Sequence, residues 1–379
     1  MTASDGQHHL QTLLNRLYPS EQHRRDALML HGEEVLGLLP FDLIELKHPS
    51  GTPAGLVFIL PYSVHPGSRA VQVPSPLPEW SFCMHILLCE GPEPLLDAQH
   101  IEQQILAYLQ NLAHQDPETL HELLQLHDAG LKTLALEDET LYRLLIHHFV
   151  FETTRGNLNL QEYLKHTGYL RFIPHPDQYR QVEQVARAQE HFIINASYPR
   201  DTELLTLYAK LYPDSSVELM DAAGYATHLP MIEHPSLEHL LENARQVLQE
   251  FQLTIDMRSF KPASQPALLV ASEAYKHHQH FQKNRTHLSP LWTEVIEQLI
   301  EQEQAPQARL FLNFDSPLVQ SLLEVQDLAV MQESLRMIYL QAVLLGRHPI
   351  SDHEMDLLAG GLQSLVTWGL QASRYRNLN

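Results

Sequence analysis

Apolar positions along this chain recur with two periods. Over 8–19, Leu10, Leu13, Leu14 and Leu17 share a helical face, and a second helical stretch covers 21–36. The period then shortens to two. Strands are expected over 41–46, 55–61 and 80–88, the last with Trp80, Phe82, Met84, Ile86 and Leu88 on one face. A proline-rich loop, 61–78, joins the last two strands. From 97 to 149 the helical period returns. Asp116-Pro117 forms an N-cap with an N1 proline, followed on one face by Leu120, Leu123, Leu124, His127, Leu131 and Leu134. In that row His127 reads as a packing residue rather than a ligand.

A smaller alternating unit follows. Asn159 and Glu162 mark a capped helix start. Strands over 169–173, 192–195 and 217–220 alternate with helices over 177–188 and 201–211. A β-α-β-α-β order implies a small parallel sheet. No glycine-rich loop follows its first strand, which excludes a dinucleotide fingerprint. After an irregular junction at 221–235 come a helix over 237–251, strands over 253–255 and 267–270, and helices over 272–282 and 289–303.

The strongest pattern lies at 310–370. A short apolar strand, Leu310-Phe311-Leu312-Asn313, leads to Ser316-Pro317, a cap and first helical position. A long helix over 328–345 ends at Gly346 and Pro349, and Ser351 with Glu354 forms a capping box that opens a helix to 370. Leu328, Met331, Leu335, Ile338, Tyr339, Ala342 and Leu345 line the first helix; Met355, Leu358, Leu362, Leu365, Val366 and Gly369 line the second. The first is also apolar at Val330, Met337, Val343 and Leu344, more than one antiparallel partner covers. Pattern alone leaves two readings open, a subunit interface or the core of one domain.

Composition narrows the function. The 379 residues allow two or three domains, and a net charge of −21 argues against nucleic acid or an anionic membrane as the main partner. No signal peptide is read at the N-terminus, and the longest apolar run is too short to span a bilayer, so a soluble, cytoplasmic protein is expected. Cys83 and Cys89, about 20 Å apart on one strand, cannot pair, which fits a reducing compartment. Of 25 histidines, the densest group surrounds His277 and His280, with no Cys or acidic residue in the cluster to complete a metal site. Neither a Gly-x-Ser-x-Gly elbow nor a His-Glu-x-x-His helix occurs. Gly360-Gly361 reads as a point of close helix approach. No catalytic, cofactor-binding or metal-binding residue is assigned.

In order along the chain, several short segments resemble the heat-shock protein 90 chaperone family. They are Arg24-Arg25-Asp26-Ala27-Leu28, Gly32-Glu33-Glu34-Val35-Leu36-Gly37, Gly55-Leu56-Val57-Phe58-Ile59-Leu60-Pro61 and Pro66-Gly67-Ser68-Arg69. Leu77-Pro78-Glu79-Trp80-Ser81-Phe82, Leu134-Ala135-Leu136-Glu137-Asp138 and Phe151-Glu152-Thr153-Thr154 continue the series. Leu312-Asn313-Phe314-Asp315-Ser316-Pro317-Leu318-Val319 and Gln341-Ala342-Val343-Leu344-Leu345 match at the far end. The resemblance covers about 21–370. It implies an α/β (α+β) chain with a helical lead-in over 1–36, a layered middle domain over 37–225 that contains the β-α-β-α-β subdomain, and a mostly helical dimerisation domain over 226–379.

Two departures shape the expected function. The family's ATP-binding domain precedes the middle domain, and almost nothing precedes it here. The family's middle domain also supplies an arginine to the ATP γ-phosphate; the matching position is about Gln99, and no Lys or Arg occurs between Arg69 and Lys132. Glutamine lacks the fixed charge and forked donors of a guanidinium. The resemblance thus implies a homodimeric, chaperone-like protein for unfolded or partner proteins, with no cofactor, ATP entering only through a longer chain or a partner. The alternatives are a dedicated adaptor or scaffold, or a subunit completed by a separate ATPase-domain protein. The implied dimer interface is Leu335, Ile338, Tyr339, Ala342, Leu345, Leu358, Leu362 and Leu365, and the implied client contacts are Trp80, Tyr275, Phe281 and Trp292.

Overall fold

The computed structural model describes residues 10–64, 75–89, 93–271 and 308–376. The expected helices at 272–282 and 289–303, the histidine cluster, and Tyr275, Phe281 and Trp292 lie outside the described residues, as does 65–74 of the proline-rich connection. The protein is mixed α/β, with several small sheets and a helical C-terminal region. It gathers into two compact units, the first made of Met1–Val150 with the short segments Asn159–Glu162 and Thr206–Tyr208, the second of the remainder, so the main division falls inside the stretch assigned to the middle domain.

The first unit starts with α1 (Glu21–Leu36), capped by Ser20, and a three-stranded antiparallel sheet of β1 (Asp42–Lys47), β2 (Pro53–Ile59) and β3 (Met84–Leu88). Gly32 lets α1 sit on this sheet, because a Cβ there would lie 2.7 Å from the Phe58 ring. The helix is also tied down by charge. Arg24 donates to both carboxylate oxygens of Glu45, at 2.8 and 2.6 Å, and Arg25 pairs with Asp42, which also accepts from the Tyr108 hydroxyl at 2.6 Å. The arginine pair quoted for the resemblance therefore serves the packing of α1 on β1.

The third strand is shorter than its alternation predicts. Pro78–Trp80 is a 3-10 turn, with Ser81 N–H donating to the Pro78 carbonyl and Cys83 N–H to that of Trp80. Apolar residues in such a turn imitate strand alternation, so only Met84 onward is extended. Four helices complete the unit: α2 (Ala98–Gln115), α3 (Pro117–Leu126), α4 (Asp128–Glu137) and α5 (Glu139–Leu145). Asp116 caps α3 as expected, its carboxylate accepting from the Thr119 N–H and hydroxyl.

The second unit is layered. One sheet has the order β5-β4-β7-β6-β8, from β4 (Val150–Thr153), β5 (Gly156–Asn159), β6 (Leu170–Ile173), β7 (Ile194–Asn195) and β8 (Val217–Leu219). β6 runs parallel to both β7 and β8, as the alternating unit requires. The helices between these strands are α6 (Leu160–Thr167), α7 (Pro176–Ala188), α8 (Asp201–Leu211) and α9 (Ala222–Thr227), the last following β8. A second sheet holds β9 (Leu253–Arg258), β10 (Ala267–Ala271) and β11 (Ala308–Asn313) in the order β10-β11-β9. α7 lies between the two sheets, where Gln178 and Gln181 bond the Ala271 backbone.

The second sheet is covered on both faces, which is why its strands read as continuous apolar runs. Leu268, Val270 and Phe311 pack toward α7 and α9. Leu269, Leu310, Leu312, Ile255 and Met257 point the other way, toward α10 (Pro235–Val247) and a long helix, α12 (Leu328–Leu345). By length and composition α12 is apolar enough to cross a membrane, and its Met331, Leu335, Ile338, Tyr339 and Leu340 are buried in this cluster.

Candidate functional site: an apolar groove in the C-terminal helices

Three helices frame an open apolar surface in the second unit: α11 (Pro317–Leu322), α12, and α13 (Asp352–Arg376). Local chemistry sets where each begins. Ser316 occupies the cap position of α11, though its side chain makes no capping bond and Pro317 supplies the start. Asp327 caps α12 through Oδ1, which accepts from the N–H of Ala329 and Val330. α13 opens with the full capping box. Ser351 N–H and Oγ–H donate to Glu354 Oε2, each at 2.7 Å, and Glu354 N–H donates back to Ser351 Oγ at 3.2 Å.

Glu354 also ties this end of α13 to α12. It is 1% exposed, and its other oxygen accepts from the Tyr339 hydroxyl at 2.6 Å. Further along, Gly361 lies against the Met337 side chain, which would have to move for a Cβ built there, 2.2 Å from Met337 Sδ. Gly360 meets nothing within 4 Å, so only one of the paired glycines serves the approach. Among the described residues beyond Gly361, Leu362, Leu365, Val366 and Leu370 are exposed.

Between the three helices lies a groove of about 350 Å³, lined by Leu318, Ser334, Met337, Ile338, Gln341, Leu344, Leu358 and Leu365. Among the described residues its lining is mostly apolar and holds no ionisable side chain, the Ser334 hydroxyl and the Gln341 amide being its polar groups. Among the described residues no group of His, Cys, Asp or Glu could hold a metal ion.

The residues singled out as an interface divide into two sets. Leu335, Ile338, Tyr339 and Ala342 are at most 2% exposed and pack inside the chain's own core. Leu345, Leu362 and Leu365 are exposed, and Leu358 is half-buried at the groove wall. The excess of apolar residues on α12 thus has two destinations, the sheet and the groove. Leu318, Leu344, Met355, Val366 and Leu370, each between 47% and 63% exposed, extend the apolar surface beyond the residues expected. Periodicity placed Met355 and Val366 on an apolar face, but nothing in it separates an uncovered position from a covered one. Trp80, expected as a client contact, is 2% exposed and belongs to the packing of the first unit.

Cys83, Cys89 and His127 lie in buried, packed settings. Cys83 and Cys89 flank β3 as free, buried thiols, and burial pushes Cys89 up to about 11 and Cys83 higher still, so neither is an active nucleophile. His127 is buried, with Nε2–H donating to the Leu60 carbonyl at 2.8 Å and Nδ1 accepting from the Ser63 hydroxyl at 2.9 Å. Burial holds it below the ordinary histidine value, and the bond to Leu60 opposes this only in part. Gln99, the position matching the family's arginine, is exposed near the start of α2. In comparisons with known proteins, no family model and no curated sequence matches the chain.

Proposed function

We propose that this chain is a homodimeric, chaperone-like protein that holds client or partner proteins on apolar surface without hydrolysing ATP itself. The observation that carries the reading is α13, a 25-residue helix whose Met355, Leu362, Val366 and Leu370 are all more than half exposed beside an apolar groove. Uncovered apolar surface of this kind marks a binding face.

The stretch 357–371 contains no Asp, Glu, Lys or Arg, so two copies that each carry a net charge of −21 can meet there without opposing charges at the contact. The absence of any Lys or Arg between Arg69 and Lys132 supports a protein that does not organise an ATP phosphate in this segment. The ordered resemblance to the chaperone family points the same way, and the free thiols fit a cytoplasmic setting.

Two measurements test the reading together. Sedimentation should give a dimer, and the dimer should slow the aggregation of a heat-denatured model protein at stoichiometric concentration with no ATP present. A monomer that leaves every model client to aggregate, or ATP turnover at chaperone-like rates, would overturn it.

A further inference from the structure

Two sheet edges are closed by side chains. At β1 the register shifts between Leu46 and Lys47, the strand carries Asp42, Glu45 and Lys47, and Gln104 bonds both the Lys47 N–H and its carbonyl at 2.9 Å. At β10, His348 Nε2–H donates to the Leu269 carbonyl at 3.1 Å, Gln178 donates to that of Ala271 at 2.9 Å, and the Ala271 N–H donates to Gln181 at 3.0 Å. Charge, register shifts and covering groups are the usual ways of blunting an edge.

β3 lacks all of them. It lies at one edge of its sheet, with β2 beside it. Cys89 N–H donates to the Ala54 carbonyl and Leu60 N–H to that of Cys83, each at 2.8 Å, and the register between runs without a shift. Bonded pairs alternate in an antiparallel ladder. His85 and Leu87 therefore bond to β2, and the N–H and C=O groups of Met84, Ile86 and Leu88 point outward, about 7 Å apart. Among the described residues no strand or side chain bonds these groups. From Ser81 to Cys89 the sequence holds no Asp, Glu, Lys, Arg or Pro. The strand is nonetheless firmly seated, since Met84 and Ile86 are 2% and 5% exposed.

We propose that the outer edge of β3 takes an extended segment of another protein as an added strand. The chemistry of the edge names this occupant. Outward N–H and C=O groups that repeat about every 7 Å match the backbone of an extended chain, whereas a helix bonds its backbone groups internally. The edge is uncharged, so the segment should be uncharged where it pairs, with β-branched or other apolar side chains at alternate positions. This rests on the proposed function and names the form in which a client is held: extended, and bound through its backbone.

The test uses the full chain and two fluorescent peptides of about nine residues, alternating valine and threonine. One is ordinary; the other has its central amides N-methylated, which keeps the side chains and removes the donors. The ordinary peptide should bind at least about tenfold more tightly. Hydrogen exchange should locate it. The amides of Met84, Ile86 and Leu88 should gain at least about tenfold protection with the peptide, while those of His85 and Leu87 are protected with and without it. Leu88→Pro removes one outward N–H and leaves the bonds to β2, so it should weaken the peptide about tenfold with the circular dichroism spectrum retained. If that variant does not fold, the exchange pattern and the N-methylated peptide decide.

Equal binding of the two peptides, indifference of a folded Leu88→Pro, or new protection elsewhere than at Met84, Ile86 and Leu88 overturns the inference. So does protection of these three amides in the chain alone. If that protection falls on dilution, the edge belongs to a second copy; if it does not, to the chain's own 65–74 or another of its segments. In each case, a dimer that still slows aggregation leaves the proposed function standing. A chain that binds the peptide along β3 but neither dimerises nor slows aggregation overturns that function and not the edge.

Discussion

Ile338 and Val366 belong to the same sequence pattern and have opposite physical roles. Ile338 is 1% exposed, between the sheet and the groove floor, while Val366 is 63% exposed. Truncating Ile338→Ala should lower stability by about 2–5 kcal/mol, as other core truncations do. Urea titration measures it, and a loss under about 1 kcal/mol would mean that the site is not packed as described. Val366→Glu, by contrast, should leave the urea-derived stability within about 0.5 kcal/mol of the parent when both are measured as monomers, because it alters an exposed position.

Histidine sets the expected response to acid at the same scale. His85, His127, His147, His148 and His191 are each held below the ordinary value, chiefly by burial. A histidine depressed in the folded state binds its proton more readily when unfolded. Its contribution is therefore fully present above the unfolded value, about 6.5, and is lost as pH falls below it. Stability by urea should be greater at pH 7.5 than at pH 5.5. In His127→Gln it should be lower at pH 7.5 and fall less between the two. An equal fall in both proteins would assign the acid sensitivity to other groups.

At the scale of elements, α13 is held at its beginning and left open along its length. Ser351→Ala removes one half of the capping box and should cost about 1 kcal/mol. Tyr339→Phe leaves the buried Glu354 without its hydroxyl donor and should cost about 1–3 kcal/mol. Gly361→Leu forces a side chain against Met337, so it should separate the two helices and speed proteolysis of α13 while the sheet-facing side of α12 stays protected from hydrogen exchange. Unchanged proteolysis would show that the contact does not hold α13.

Element starts were legible because they depend on local chemistry. The boxes at Ser351 and Glu354 and at Asn159 and Glu162, and the Asp116 cap, all form as their residue types dictate. Trp80 to Leu88 misled because alternation and a 3-10 turn place apolar residues alike. The Pro78 at the head of the segment was the overlooked signal, since it starts a turn readily and adds no N–H to a ladder.

At the scale of the whole molecule, α13 governs assembly in our reading. Replacing Leu362 and Val366 together by glutamate should convert the dimer to monomer with the circular dichroism spectrum retained. A dimer that survives this change would move the interface off the α13 stripe. The acidic surface adds a salt dependence. If two copies of charge −21 associate, added salt should strengthen the dimer by screening their repulsion.

Periodicity, caps and composition were enough to determine the mixed α/β class, the parallel β-α-β-α-β unit, the paired C-terminal helices and the lack of a recognisable catalytic motif. Each is encoded in residues near one another along the chain. Only the tertiary structure decided which side of α12 faces the sheet, which of its apolar residues line a groove, and that Leu362, Leu365, Val366 and Leu370 are exposed. Burial depends on what else arrives at a surface. Leu335 and Leu362 have the same side chain and the same helical setting, and only packing against distant strands makes one core and leaves the other open to a partner.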